Sequence, residues 1–187
     1  MKHRILHFMG IGGVGMCGLA EIAHVAGATV TGCDTAPSER TRRLAEMGID
    51  VSIGHDPGHL EGVDALVYTA AVDASEPELE TARRRGIEVI RRAEMLGELM
   101  GNRRGIAVAG THGKTTTTAL VGHILTECGL DPTVLVGGHA RFADSNARVG
   151  SGECMVCEAD EYDRAFLELR AAVAVVTNLE PEHLDCY

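Results

Sequence analysis

The sequence predicts an α/β protein built on parallel sheets. Short apolar runs alternate with segments whose apolar residues recur at helical spacing, and glycines close several of these segments. Two glycine-rich turns, GIGGVG and GTHGKTTTT, each lie between an apolar run and a helical segment. Strands separated by helices of this length imply a parallel sheet with helices on its faces. We therefore expect two α/β domains, residues 1–101 and 102–187.

The first domain is predicted from nine segments in order. RILHFMG is a strand, and GMCGLAEIAHVAGA is a helix that stops at Gly27. TVTGCD is the second strand, and SERTRRLAEMG is a helix with Ser38 as its N-cap. DVSIG and ALVYTAA are the third and fourth strands. EPELETARRRG is a helix with Pro77 near its start, EVI is the fifth strand, and RAEMLGELMG closes the domain as a helix.

The second domain is predicted to open with the strand GIAVAG and the helix KTTTTALVGHILTECG, which stops at Gly129. PTVLVGG is a strand, and ECMVCEAD and AVAVVTNL are apolar almost throughout, as central parallel strands tend to be. Cys154 and Cys157 favour a buried strand over a zinc or redox pair, because no second cysteine pair or nearby histidine accompanies them. The ending EPEHLDCY opens like a helix without continuing, so we expect a domain cut short and an N-terminal fragment of a longer protein.

The amino-acid composition argues against some classes of binding partner. The 187 residues carry a net charge of −10, with 3% aromatics and no tryptophan, which argues against nucleic acid as the main partner. No apolar stretch approaches the roughly 20 residues of a membrane span. The start, MKHRILHFMG, lacks the features of a signal peptide. We expect a cytoplasmic protein with reduced thiols and neither membrane nor nucleic-acid partners. The sequence leaves the oligomeric state open.

The turn GIGGVG, residues 10–15, follows a strand and opens a helix, as a dinucleotide fingerprint does. Gly10 allows a tight turn, Gly12 lets a diphosphate approach, and Gly15 lets the helix pack on the sheet. Asp34 ends the second strand, about where a ribose-binding acid is expected. The pattern favours a Rossmann-like diphosphate site over a turn that serves packing alone. NAD and UDP-sugars both carry a diphosphate, so the ligand stays open.

The turn GTHGKTTTT, residues 110–118, has two residues between Gly110 and the Gly113-Lys114 pair, whereas the standard P-loop has four. Lys114 can reach the β- and γ-phosphates, and Thr115 offers a hydroxyl to Mg²⁺. Thr116 is a further donor. Four threonines weaken a helix start, which favours a nucleotide site over a turn capped by Thr115. We predict a P-loop-type ATP-binding α/β domain.

Acidic residues follow the strand CMVC in the segment EADEYD. Glu158 is placed at the carboxyl end of a parallel strand, where ligands bind in α/β sheets, so it is a candidate Mg²⁺ ligand. A solvated acidic turn is the alternative. His183 follows the next strand, near the same edge. Imidazole is an unusual Mg²⁺ ligand, so chemistry alone leaves its role open.

GIGGVGM, GTHGKTTTT, EADEYDRAFL and VVTNLEPEHLD occur in an order and at spacings that resemble the Mur ligases of peptidoglycan synthesis, over essentially the whole chain. The resemblance implies an ATP- and Mg²⁺-dependent ligase of cell wall biogenesis, with consequences for cell shape and division. The implied substrates are UDP-N-acetylmuramate and L-alanine, joined through an acyl phosphate. A ligase of the same family that reattaches recycled murein tripeptide is the alternative.

The resemblance also implies roles for individual residues. Around the UDP-sugar it places Gly10, Gly12, Gly13, Val14, Gly15, Met16, Asp34, Thr69, Ala70 and His139. Around ATP it places Gly110, Thr111, His112, Gly113, Lys114, Thr115, Thr116 and Asn178. Lys114, Thr115, Glu158 and His183 are the implied catalytic group, of which Thr115 and Glu158 hold one Mg²⁺ and His183 contacts a second.

Family members have a further C-terminal domain, so we expect this fragment to lack turnover. Two other functions are weighed against the ligase. A nicotinamide-dependent oxidoreductase explains GIGGVG and Asp34 but not the second phosphate loop. A naturally short nucleotide-binding regulatory module would bind ligands without ligase activity.

Overall fold

The computed structural model describes residues 3–101, 103–138 and 146–181, without the side chains of residues 162 and 163. The chain forms two compact units, Met1–Met95 and Leu96–Tyr187. Each unit has its own five-stranded sheet. The predicted α/β class is therefore confirmed for both halves.

The first unit contains one fully parallel sheet, ordered β3-β2-β1-β4-β5. Its strands are β1 (Ile5–Met9), β2 (Thr29–Asp34), β3 (Asp50–Ile53), β4 (Ala65–Tyr68) and β5 (Glu88–Arg91). Its helices are α1 (Val14–Val25), α2 (Glu39–Glu46), α3 (Pro77–Arg85) and α4 (Arg92–Met100), the last of which ends in the second unit.

The residues predicted to begin and end the helices of this unit lie at those positions in the structure. The Ser38 side chain accepts a hydrogen bond from the Thr41 amide at 3.2 Å and so caps α2. Gly27, with φ of 94°, follows α1, and Pro77 is at the start of α3. The alternation of strands with α-helices is interrupted once, because β3 and β4 are joined by a short 3-10 helix, Pro57–Leu60. That connection is short and contains several glycines, which disfavour a longer helix.

The core of the first unit surrounds β1, whose residues from Leu6 to Met9 are all buried. Burial on both faces is typical of a central parallel strand. Met9, Cys33, Leu66 and Leu79 form one buried cluster between the sheet and α3. The loops that follow β1, β2 and β4 therefore start from fixed points at the carboxyl edge of the sheet.

The second unit has the strand order β10-β6-β9-β7-β8. Its strands are β6 (Arg104–Ala109), β7 (Thr133–Leu135), β8 (Ala147–Arg148), β9 (Cys154–Glu158) and β10 (Val173–Val176). Helix α5 (Lys114–Glu127) follows β6, and a 3-10 helix, Tyr162–Glu168, follows β9. All pairs are parallel except β7 with β8. Strand β8 was not predicted, since two residues are too short for a sequence pattern.

Cys154 and Cys157 both lie in strand β9, as predicted; Cys157 is buried and Cys154 is partly buried. Burial, and then the charge of Glu158, raises the pKa of Cys157 to about 12. Strand β10 lies at the sheet edge, where Val173 and Val176 are more than half exposed. Within the described ranges, no helix has the length and apolar character needed to cross a membrane.

Candidate functional site

The first candidate site is built around the turn that follows β1. The amides of Gly10 and Ile11 both donate to the Cys33 carbonyl, at 2.8 and 3.0 Å. Gly10 has a φ of 75°, which favours glycine. The turn is therefore tied to the end of β2, the neighbouring strand, before α1 begins.

Gly12 is enclosed by residues that follow β2. Its amide donates to Asp34 Oδ2 at 2.8 Å, and its carbonyl accepts from Arg40 Nε. A Cβ on Gly12 would lie 2.9 Å from both Asp34 Oδ2 and Thr41 Cγ2. The Asp34 carboxylate, which the sequence suggests as a ribose-binding acid, thus holds an amide of the glycine turn.

A cavity of about 540 Å³ opens beside this turn. Its volume falls within the usual range for small-molecule sites. Five of the predicted UDP-sugar residues line it: Gly10, Gly12, Gly13, Asp34 and Thr69. Arg40 and His55 also line it. Sequence reasoning did not select these two, although Arg40 provides a positive charge suited to a diphosphate.

The other predicted UDP-sugar residues lie elsewhere. Val14, Gly15 and Met16 form the first turn of α1, where Met16 is buried. A Cβ on Gly15 would meet Arg92 Cδ at 3.0 Å, so Gly15 makes room for that side chain rather than for a strand. Ala70 is exposed next to Thr69. His139 lies outside the described residues.

The second candidate site follows β6, which lies between β9 and β10. This order brings the residues after all three strands to one carboxyl edge. Gly110 has a φ of 128°, and a Cβ there would collide with Thr177 Oγ1. Gly113 has a φ of 83° and is the N-cap of α5. Both glycines are thus required by the backbone of the loop.

Residues after β10 hold this loop from one side. Asn178 Oδ1 accepts from the His112 amide at 2.9 Å, and Thr177 Oγ1 donates to the His112 carbonyl at 2.6 Å. The Glu180 amide donates to Thr111 Oγ1 at 3.0 Å. Asn178 and Thr111 therefore meet at the predicted loop, with the exposed His112 side chain near the Glu180 carboxylate.

Lys114 is held between its own loop and the segment after β9. Its Nζ donates to the Gly110 carbonyl at 2.6 Å and to Glu161 Oε1 at 2.9 Å. Sequence reasoning missed Glu161, although it belongs to the EADEYD segment from which only Glu158 was selected. The exposed fractions of the Lys114 and Glu161 side chains are 17% and 24%.

Thr115 and Glu158, the predicted Mg²⁺ ligands, both approach the Gly137-Gly138 turn after β7. Glu158 Oε1 accepts from the Gly137 amide at 2.6 Å. A Cβ on Gly138 would lie 3.6 Å from Thr115 Cγ2. A carboxylate and a hydroxyl are oxygen donors of the kind Mg²⁺ prefers, so this pair fits that ion. Thr116 is exposed in the first turn of α5, and His183 lies outside the described residues.

Comparison with known proteins extends over both sites. A family model described as "Mur ligase family, catalytic domain" matches residues 5–104, and "Mur ligase middle domain" matches residues 108–187. The UDP-N-acetylmuramate–L-alanine ligase of Chromobacterium violaceum is 52% identical over 189 residues, which cover 100% of this chain and 41% of that protein. The chain thus spans about two fifths of the length of this curated relative.

Two solved structures share the fold of this chain. The UDP-N-acetylmuramate-alanine ligase of Thermotoga maritima is 33% identical with a TM-score of 0.91, and the match covers 99% of this chain and 44% of that one. The UDP-N-acetylmuramate:L-alanyl-gamma-D-glutamyl-meso-diaminopimelate ligase of Neisseria meningitides is 33% identical with a TM-score of 0.90, covering 99% and 63%. From its catalytic-domain and middle-domain sequence, this chain belongs to the Mur ligase family.

Proposed function

We propose that this chain binds UDP-N-acetylmuramate and ATP for a ligase that joins L-alanine to the sugar nucleotide. The observation that carries the proposal is the presence of two phosphate-type loops, each at the carboxyl edge of its own parallel sheet. One loop suits a diphosphate, and the other contains the lysine and threonine of an ATP site. Two nucleotide substrates account for two such loops.

In this proposal, residues 1–101 hold the UDP-sugar and residues 102–187 begin the ATP-binding domain. The cavity beside Gly10, Gly12 and Gly13 receives the diphosphate, and Arg40 supplies a positive charge. Asp34 positions the turn through the Gly12 amide. The residues also proposed to lie near the UDP-sugar are Val14, Gly15, Met16, Thr69, Ala70 and His139.

Residues of the second loop then act on ATP. Lys114 neutralises the β- and γ-phosphates, and the Gly110–Thr116 backbone orients them. Thr115 and Glu158 would hold Mg²⁺, which supplies charge neutralisation at the phosphates, and His183 is proposed for a second ion. Asn178 keeps the His112 amide in place.

The proposed reaction depends on alignment and charge rather than on a covalent side chain. The lactyl carboxylate of UDP-N-acetylmuramate attacks the γ-phosphorus, and ADP leaves with the electrons of the broken bond. The amine of L-alanine then attacks the acyl phosphate carbonyl and loses a proton as inorganic phosphate departs. Lys114, held near the loop carbonyl, is placed to balance the charge that develops on the transferred group.

Recycling of murein tripeptide is a second candidate, supported by the Neisseria meningitides ligase structure with its TM-score of 0.90. The 52% identity to a protein named for L-alanine favours the alanine reaction. A nicotinamide-dependent oxidoreductase is less well supported, because it uses only one of the two loops.

The test measures ADP release by the full-length protein encoded by the natural gene. Release should require UDP-N-acetylmuramate and L-alanine together, and Lys114→Ala should abolish it while Lys114→Arg retains a part. Release that requires the tripeptide in place of L-alanine would support the recycling reaction. ADP release without either substrate, or full activity in Lys114→Ala, would contradict the ligase proposal.

A further inference from the structure

A cluster of side chains of the kinds that ligate metals lies in the first unit, and none of these side chains was assigned to either candidate site. His7, Cys33, His59 and Glu78 each offer one ligand atom, and these four atoms all lie within 4.8 Å of one another. They come from β1, β2, the 3-10 helix after β3, and α3. Four separate elements therefore converge on one point.

The separations match those of a small coordination shell. His7 Nε2 lies 3.4 Å from Cys33 Sγ and 3.1 Å from Glu78 Oε1. Glu78 Oε2 lies 3.3 Å from Cys33 Sγ, and Glu78 Oε1 lies 3.2 Å from His59 Nδ1. Tetrahedral zinc with ordinary bond lengths places its ligand atoms roughly 3.3–3.6 Å apart. All four ligand atoms lie within 4.8 Å of one another, so the farthest pairs would have to close by up to about 1.2 Å to surround one ion.

The orientation of His7 suits a ligand. Its Nδ1 lies 2.8 Å from Thr31 Oγ1, which leaves Nε2 facing the cluster. Metal-bound histidines usually have the other ring nitrogen held by such a partner, which fixes the tautomer. His7, Cys33 and Glu78 are buried, while His59 is 22% exposed. An ion would enter past the His59 side chain.

Charge balance also favours a divalent ion. A thiolate from Cys33 and the Glu78 carboxylate carry two negative charges, which a divalent cation would neutralise inside the core. Burying two negative charges is costly, and coordination to a metal ion would offset that cost. Sulfur and imidazole donors suit zinc better than Mg²⁺ or Ca²⁺, which prefer oxygen.

We propose that His7, Cys33, His59 and Glu78 form a binding site for one Zn²⁺ ion in the first unit. His55 lies beside it, with Nδ1 3.1 Å from Cys33 Sγ and 3.5 Å from Glu78 Oε2. The site adjoins the cavity described above, which His55 also lines.

The ion would stabilise the glycine turn that follows β1. The Cys33 carbonyl accepts the amides of Gly10 and Ile11, so fixing Cys33 also fixes the start of that turn. Zinc binding to the folded state should therefore raise the unfolding temperature of the chain.

The experiment titrates the full chain, purified metal-free, with Zn²⁺ in competition with a coloured chelator. Among the cysteines of the described residues, Cys128 is the exposed one, and a Cys128→Ser background removes its thiol. We expect one zinc per chain, and a Co²⁺-loaded sample should show a thiolate-to-cobalt absorption band. Losing even an outer partner of a metal ligand weakens binding about 10- to 100-fold, so Cys33→Ala and His59→Gln should each weaken it at least about 100-fold.

Cys17→Ala is the matched control, since Cys17 is a buried cysteine outside the cluster. It should leave zinc affinity and the cobalt band unchanged. Zinc affinity that is the same in Cys33→Ala and the parent protein would overturn the proposal, as would a cobalt band that survives this change. If Cys33→Ala does not fold, the zinc affinity of His59→Gln tests the proposal. The His59 side chain is partly exposed, so replacing it should disturb folding less. Unchanged zinc affinity in a folded His59→Gln protein would overturn the site.

Discussion

Lys114 Nζ lies 2.9 Å from Glu161 Oε1 and 2.6 Å from the Gly110 carbonyl. The ammonium group that should neutralise the ATP phosphates is thus paired with a carboxylate from the segment after β9. In the proposed function, ATP competes with Glu161 for this charge. The pair therefore links the loop from Gly110 to Lys114 to the segment that follows Glu158.

Glu161→Gln should strengthen the binding of Mg²⁺-ATP to this chain. The change removes a competing ion pair of about 0.2–1 kcal/mol and should tighten binding by up to about fivefold. Isothermal titration calorimetry measures the effect, with Lys114→Ala expected to lose most of the affinity. Weaker binding in Glu161→Gln would show that the carboxylate assists ATP instead of competing with it.

Glu158→Gln should reduce the benefit of Mg²⁺ for ATP binding while keeping the fold. The amide oxygen of glutamine can still accept from the Gly137 amide, which now donates to Glu158 Oε1. The lost charge should lower the affinity for Mg²⁺-ATP at least about tenfold, or about 1.4 kcal/mol. The control is a titration with ATP in the presence of EDTA, which removes Mg²⁺. There the variant and the parent protein should bind ATP with the same affinity. An equal loss with and without Mg²⁺ would argue against metal binding by Glu158.

Gly110→Ala should destabilise the second unit far more than Gly129→Ala. Both glycines have positive φ, at 128° and 76°. A Cβ at Gly110 would collide with Thr177 Oγ1, whereas Gly129 faces open space. We expect about 3 kcal/mol or more for Gly110→Ala and about 1–2 kcal/mol for Gly129→Ala. Urea unfolding followed by circular dichroism measures both, and equal losses would show that the contact with Thr177 is unimportant.

Asp34→Ala should loosen the first glycine turn. The carboxylate accepts the Gly12 amide at 2.8 Å, and hydrogen bonds to charged groups contribute about 1.5–3 kcal/mol. The affinity for UDP-N-acetylmuramate and the free energy of unfolding should both fall. Calorimetry measures the affinity, and urea unfolding measures the stability. Asp73→Ala is the control, because Asp73 lines the same cavity but its carboxylate accepts from Ser75 and not from the glycine turn, so both quantities should change less. A larger effect at Asp73 would contradict this role for Asp34.

Asp131 should titrate at about 2, below its ordinary value of 3.8. The Ser151 amide and hydroxyl lower its pKa most, followed by Arg148. Because the folded pKa is lowered, this stabilisation is present above about 3.8 and is lost as pH falls through about 2. NMR titration of the carboxyl carbon measures the pKa, and Ser151→Ala should raise it. An unperturbed pKa near 3.8 would show that these contacts do not form in solution.

The sequence by itself determined the two glycine-rich loops and the order of the strands and α-helices in the described residues, apart from β8 and the two 3-10 helices. These features depend on residues close together in the chain. Alternating apolar segments predict parallel strands, Ser38 forms its cap within one turn, and Gly110 and Gly113 lie in one short loop. The same local motifs carried the resemblance to the Mur ligase family, which the family matches confirm.

Only the tertiary structure decided which side chains meet across the sheets. Asp34 reaches the Gly12 amide because β2 lies beside β1, and Glu161 reaches Lys114 because β9 lies beside β6. His7, Cys33, His59 and Glu78 have no common motif, so no local spacing predicts their cluster. Strand order brings such residues together by burying apolar strands side by side, and that order depends on packing over the whole unit rather than on any short stretch of the chain.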